Sequence, residues 1–421
     1  MAPTSQDEHD SPALTVVGDM WSPACAAIRT FLSRNEIACR WVQPSDPTGR
    51  ELLAAHGFAA DDTPVLIAAD GRVLKPADEE QLAQWVGLHT TPSSGGYDLL
   101  VVGGGPAGMA AAVYGASEGL HTVLLERWAI GGQAGLSSRI ENYLGFPDGI
   151  SGAVLTDRAR RQAGKFGAEL VISLRADALE ATDEDVTVHC AGGTTVSARA
   201  AIIATGATFR TLDAPGVEDF TGRGVYYFSA LTEAPLCAGS DVYIVGGANS
   251  AGQAAVYFAS CARRVILLVR AESLATEMSA YLIDQIASIP EIHVRTGTEI
   301  AGASGGTHLE RLTLRHRRTG ATEEVPATWL FAFIGADPAT TWLGPGFARD
   351  DRGYLLTGPD IATVAGADSP WPLTRPPLHL ETTVPGVFAA GDVRAFNAHR
   401  VAAAVGEGSM AVMLVHEYLR D

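Results

Sequence analysis

The segment YDLLVVGGGPAGMAAAVYGASEGL, Tyr97 to Leu120, constrains the fold more than any other part of the chain. An apolar strand runs into a turn with glycine at 103, 105 and 108, a helix of small residues comes next, and a second strand, TVLLE, ends on Glu126. Gly103 permits the tight turn, Gly105 leaves bare backbone where a pyrophosphate can approach, and Gly108 lets the helix close on the strand. The helix opens at Pro106 and Ala107, so its free N–H groups and positive dipole face the phosphates. Glu126, about 20 residues on at a strand end, is placed to accept from a ribose 2′-hydroxyl. That acid favours an unphosphorylated adenosine, such as that of FAD or NAD.

The same order of strand, glycine turn and helix recurs in DVYIVGGANSAGQAAVYFA, Asp241 to Ala259. Gly246, Gly247, Asn249, Ser250 and Ala251 make up this second turn and helix start, a candidate NAD(P)H site. It departs from the pattern at Ala248, whose methyl group stands where a pyrophosphate needs bare backbone.

Two such units within 421 residues imply an α/β chain of two or three domains. The 30 Lys and Arg against 48 Asp and Glu give a net charge of −18, which disfavours nucleic acid and anionic membrane surfaces as partners. The first twelve residues read as an acidic tail without the basic and apolar regions of a signal peptide. The apolar runs are too short, or too interrupted, to span a bilayer, so a cytoplasmic protein is expected. The five cysteines, Cys25, Cys39, Cys190, Cys237 and Cys261, are scattered and never spaced C-x-x-C. The histidines form no ligand-spaced cluster, and no metal is expected.

Residues 13–89 read as a separate unit with the element order βαβαββα, its hairpin turning on Asp70-Gly71, and TTPSSGG at 90–96 is a linker by composition. This unit resembles the thioredoxin/glutaredoxin fold, with WSPAC at the usual active-site position and Thr63-Pro64-Val65 where those proteins place a cis-proline. The family's W-C-x-x-C is here Trp21-Ser22-Pro23-Ala24-Cys25. A serine hydroxyl stays protonated near neutral pH and cannot replace the attacking thiolate. Ser22 followed by Pro23 is also a plain helix start. A degenerate structural or docking module is expected, with a monothiol role for Cys25 as the alternative.

Residues 97 to the C terminus resemble the low-molecular-weight thioredoxin reductases. GGQAGLSSRIENYLGFP (131–147), AAIIATGATFRTL (200–212), GVFAAGDVRAF (386–396) and HRVAAAVGEGSMAV (399–412) carry the likeness in the family's order. The resemblance implies an FAD domain at 97–216 and 340–421 with a nicotinamide-type domain inserted at 217–339, both Rossmann-like and three-layered. It puts Gln133 and Asn142 near the isoalloxazine and ribityl chain, and Thr205-Gly206 in the loop over FAD. It also puts Asp392 on a ribityl hydroxyl and Arg400-Val401-Ala402 along the flavin edge. Asp392 behind the Gly391 turn at a strand end can accept such a bond, with a plain cap as the alternative. The family's H-R-R-x-x-x-R, which grips the NADPH 2′-phosphate, reads here Val269-Arg270-Ala271 with Ala275 at its end, leaving Arg270 as the surviving cation. NADPH binding is then weakened or lost, or NADH is used.

Counted back from Gly246, the two cysteines of the family's C-A-T-C fall on Phe228 and Leu231, neither of which can be oxidised reversibly. Phe228 either walls the flavin or packs in a core, and Cys237 reads as a small buried hydrophobe. The chain as a whole resembles bacterial fused thioredoxin reductase-like FAD proteins. The resemblance and the missing dithiol together imply an FAD-dependent oxidoreductase whose flavin reacts directly with a small molecule or external acceptor, with NAD(P)H as donor. A substrate oxidase reoxidised by dioxygen and a flavin-bearing redox sensor are the alternatives. His399 is the nominee for acid–base work because histidine titrates near neutral pH, although a solvated surface histidine is the commoner case. The resemblance further implies a homodimer.

Overall fold

The computed structural model describes residues 14–93, 95–137, 139–227, 233–365 and 371–420. The N-terminal unit is a four-stranded sheet in the order Arg40–Val42, Leu14–Val17, Val65–Ala68, Val73–Leu74, whose first pair is parallel and whose other two are antiparallel. Helices Pro23–Arg34, Pro47–Ala55 and Glu79–Trp85 complete it. Ser22 caps the first helix, accepting from the Cys25 N–H at 3.4 Å, and Pro23 occupies the first turn, where its missing N–H costs nothing. The Thr63–Pro64 peptide is cis. Cys25 is fully buried beneath this helix start.

The first dinucleotide-type sheet runs Glu169–Ile172, Thr122–Glu126, Tyr97–Val102, Thr195–Ile203, with all three neighbouring pairs parallel. Strand Val387–Ala389 adds to the last of these, in parallel, and so returns the C-terminal segment to the same sheet. The central strand is apolar from Leu99 to Val102, where both faces are covered. Leu99 and Val101 join the cluster that holds Met109 and Val412 from the helices Pro106–Ser117 and Val401–Tyr418, whereas Leu100 and Val102 face the opposite cluster. Each such fully buried aliphatic side chain contributes roughly 1.5–3 kcal/mol.

The second sheet is five parallel strands in the order Val225–Tyr227, Trp329–Ala332, Asp241–Val245, Arg264–Leu268, Ile292–Arg295. Helix Asn249–Ala259 packs on it, and the antiparallel meander Thr298–Gly305, Leu309–His316, Thr322–Pro326 closes the other face. The chain crosses between the two domains on a pair of short antiparallel strands, Ala207–Phe209 and Ala336–Pro338. The Thr205 hydroxyl donates to the Ala339 carbonyl at 2.9 Å and Arg210 pairs with Asp337 at 2.7 Å, so the crossing is tied on both sides. Among the described residues, no helix is long and apolar enough to cross a membrane.

The N-terminal unit touches both larger domains. Trp21 stacks on His308 with ring centroids 4.3 Å apart and lies 5.1 Å from Trp329, both in the second domain. Arg29 reaches the fully buried Glu233 at 3.2 Å. At the far end of the same helix, Asn35 donates to the Trp128 carbonyl of the first domain at 3.3 Å.

Candidate functional site

A cleft of about 870 Å³ lies where the first sheet, the interdomain crossing and the N terminus of helix Asn249–Ala259 meet. Its floor is the first glycine turn. Gly103 has φ +108, and a Cβ there would meet the Ala204 carbonyl oxygen at 2.4 Å, so only glycine fits. A Cβ on Gly105 would meet nothing nearer than the Gly132 Cα at 4.0 Å and would project into the cleft. The open space above Gly105 suits a pyrophosphate, and the helix starting at Pro106 aims its free N–H groups at it.

Glu126 lies at the cleft's edge, buried, with one carboxylate oxygen accepting from the Gly104 N–H at 2.7 Å and the other from the Trp128 N–H at 2.9 Å. The carboxylate therefore braces the turn, and each oxygen keeps a lone pair that can accept from a ligand. Gln133 gives its amide N–H to the Ala207 carbonyl, which leaves the amide oxygen for a ligand. Asp392 lines the cleft behind Gly391, whose N–H is held by Glu407 at 2.7 Å; Glu407 also pairs with Arg394 at 2.6 Å.

His399 enters the cleft with its Nδ1 3.5 Å from the Asp392 carboxylate and its ring 5.8 Å from Tyr354. The hydrogen bond to Asp392 raises its pKa above the usual imidazole value, against the lowering effect of partial burial. Phe209, Phe333, Trp342 and Tyr354 add aromatic walls.

Most of the residues expected for FAD meet here. Gly103, Gly105, Pro106, Ala107, Glu126, Gln133, Thr205, Gly206, Asp392, Arg400 and Val401 all line the cleft. Three do not. Gly108 is a packing position, where a Cβ would strike the Gly103 carbonyl oxygen at 1.8 Å. Asn142 is exposed on a loop that turns back on itself through the Ile140–Ile150 pairing, away from the cleft. Ala402 is exposed on the outer side of helix Val401–Tyr418, and Ala404 takes the inward place.

Of the nicotinamide candidates, Ser250 lines the cleft, joined by Gln253 and Ala254. Gly246, Gly247, Asn249, Ala251 and Arg270 do not. Gly246 is required by its turn, since a Cβ would meet the Phe333 carbonyl oxygen at 2.4 Å, and Ala251 fills the packing role of Gly108. The Asn249 side chain accepts from the Ser279 N–H at 2.8 Å and is committed to structure. Arg270 is exposed beyond the end of strand Arg264–Leu268. Phe228 and Leu231 lie outside the described residues.

The cysteines stand apart. All five are described, and none lines the cleft. Burial pushes every thiol up, that of Cys190 to about 11. Among the described residues no group of His, Cys, Asp or Glu could hold a metal ion.

Sequence reasoning missed Glu407, Arg34, Trp128 and the aromatic walls. Glu407 had a signal, a lone charge within the apolar run AAAVGEGSMAV; the others gain their place only through contacts between distant segments.

Comparison with known proteins agrees with this geometry. Residues 97–408 match the family model described as pyridine nucleotide-disulphide oxidoreductase. The chain is 31% identical to a thioredoxin reductase of Treponema pallidum over 324 residues, covering 77% of this chain and 97% of that protein. It is 33% identical to one of Streptomyces clavuligerus over 329 residues, covering 76% and 94%. Among solved structures, Lactococcus lactis thioredoxin reductase superposes with a TM-score of 0.68 at 26% identity, covering 77% of this chain and 99% of the other.

Proposed function

The chain belongs to the pyridine nucleotide-disulphide oxidoreductase family, and from that premise we propose an FAD-dependent oxidoreductase of thioredoxin-reductase-like build that works without a protein dithiol. Bound FAD supplies two-electron redox chemistry to a small molecule or external acceptor, with NAD(P)H as the donor. The observation that carries this reading is the lining of the cleft. Its lining combines glycine backbone, charged and polar side chains such as Glu126, Asp392 and His399, and aromatic rings, while the five thiols sit elsewhere with raised pKa values that suppress the thiolate.

The chain's own groups have distinct tasks. The turn at Gly103–Gly105 and the helix behind it bind the pyrophosphate, and Glu126 takes the ribose. Glu407 holds the Gly391 turn so that Asp392 meets the ribityl chain. His399, kept protonated to higher pH by Asp392, holds a proton at Nδ1 within the cleft. Phe209, Phe333, Trp342 and Tyr354 exclude water and suit a flat or apolar partner. The N-terminal unit, read as thioredoxin-like, serves docking rather than thiol exchange, because its helix start is packed against the second domain and Cys25 is buried.

The test is anaerobic mixing of the purified flavoprotein with NADH and NADPH, before and after iodoacetamide treatment under native conditions. Bleaching of the flavin band that survives alkylation supports the proposal. Loss of turnover on alkylation, or a mixed disulfide with thioredoxin trapped during turnover, overturns it.

A second reading, an oxidase reduced by an organic substrate and reoxidised by dioxygen, is favoured by three observations at the second turn. These are the Ala248 methyl, the commitment of Asn249 to Ser279, and the position of Arg270 outside the cleft. Bleaching by an organic substrate and by neither nucleotide supports it.

A further inference from the structure

Arg34 is the last residue of helix Pro23–Arg34, in a unit that precedes the dinucleotide-binding sequence altogether. Arg34 nevertheless lines the cleft. It donates to the Gly132 carbonyl at 3.2 Å and lies 5.5 Å from the Trp128 ring centroid, while Arg127 lies 3.9 Å from the same ring. Asn35 secures the contact through the Trp128 carbonyl. Gly132 in turn touches the phosphate turn, since a Cβ on it would meet the Gly105 Cα at 2.9 Å. The cation is thus fixed beside the glycine over which a pyrophosphate would pass.

Two features leave the guanidinium available to an anion. The Glu126 carboxylate, whose charge acts on Arg34 together with that of Glu79, gives a lone pair of each oxygen to a backbone N–H, and no ion pair with Arg34 forms among the described residues. One carbonyl bond uses one of the five donors of a guanidinium, and the rest of the planar fork matches a diphosphate. Burial lowers its pKa, yet an arginine keeps its charge.

We propose that Arg34 is a cofactor-binding residue that reaches across from the N-terminal unit to the pyrophosphate of FAD. The unit is then part of the flavin site, and cofactor binding and domain docking are linked. The inference rests on the reading of the cleft as an FAD site.

The experiment is titration of the full-length apoprotein with FAD, followed by flavin fluorescence, for the wild type and for Arg34→Ala, Arg34→Gln and Arg34→Lys. Charge-assisted contacts of this kind set an expected loss of about 10–100-fold in affinity for Arg34→Ala. Arg34→Gln keeps an N–H for the Gly132 carbonyl and removes the charge, so it is expected to lose affinity as well, with Arg34→Lys in between. The wild type loses affinity with added salt more steeply than Arg34→Gln. Hydrogen exchange across residues 23–35 slows on adding FAD to the wild type and not to Arg34→Gln.

Wild-type affinity in Arg34→Ala overturns the inference. So does wild-type affinity in Arg34→Gln alone, which would make Arg34 a docking residue. A wild-type protein that binds no FAD overturns instead the reading of the cleft.

Discussion

Replacing Arg29 by alanine tests how the N-terminal unit is held to the second domain. Arg29 Nη2 lies 3.2 Å from one Glu233 oxygen and Nε donates to the other at 3.3 Å, with side-chain exposures of 12% and 0%. Truncation leaves a carboxylate facing Tyr226 and Cys237 with no cation. Breaking a buried pair from one side costs about 3–5 kcal/mol. At about 2–4 °C per kcal/mol for a domain of this size, the unfolding midpoint falls on the order of 10 °C. The loss depends on pH. Burial already raises the Glu233 pKa, with Arg29 opposing that rise, so removing Arg29 raises it further. A carboxyl whose folded pKa exceeds its unfolded value contributes fully below the unfolded pKa and loses that contribution as pH rises through the folded pKa. The variant's deficit therefore grows as pH rises from the ordinary carboxylate range through neutrality, by about 1.4 kcal/mol per unit of added shift. Calorimetric scans of the flavin-loaded protein across that range measure it, with Arg29→Ala/Glu233→Gln recovering most of the loss at high pH. An unchanged midpoint at about pH 8, or a deficit independent of pH, would refute the account.

The cleft sets further outcomes. Gly105→Ala leaves the thermal midpoint near that of the wild type but lowers the flavin-to-protein absorbance ratio at least tenfold at micromolar protein, because the new methyl occupies open space meant for phosphate. Gly103→Ala instead fails to give folded protein, since its Cβ meets a carbonyl oxygen at 2.4 Å with φ at +108. Ala248→Gly removes the methyl at the second turn and increases the rate of flavin bleaching at low NADH or NADPH about tenfold, read by stopped-flow absorbance. In turnover that needs the His399 imidazolium, activity falls as pH rises through its raised pKa. Asp392→Asn moves that limb to lower pH, and a pH–rate profile in which the two proteins coincide would remove His399 from the mechanism.

The parts of this molecule legible in the sequence are those fixed within one local stretch of chain. The first turn sets its own geometry between Gly103 and Glu126, because the strand, the turn and the helix N terminus are contiguous, and the structure places those residues around one cleft. Asn142 and Ala402 were assigned by resemblance, yet each depends on which way a side chain leaves its backbone, and the Ile140–Ile150 pairing and the helical phase decide that. Asn249 had the right position and the wrong partner, since Ser279 lies thirty residues further on. Arg34 was beyond reach for a stronger reason. It closes an ordinary amphipathic helix and acquires meaning only when a separate unit docks with Trp21 on one domain and Asn35 on the other. The docking contacts include stacked rings, a buried ion pair between Arg29 and Glu233, and bonds to the Gly132 and Trp128 carbonyls. None has a periodicity that a pattern could reveal. On the proposed docking role, a helix start that needs no reactive thiolate is free to pack on a neighbour. Trp21 lies against Trp329, and Pro23 sits so close to Gly222 that a Cβ there would meet its Cα at 3.1 Å, where an exposed thiolate would need solvent and a partner. The helix thus has its start, Trp21 to Pro23, against the second domain and its last residue, Arg34, at the cleft.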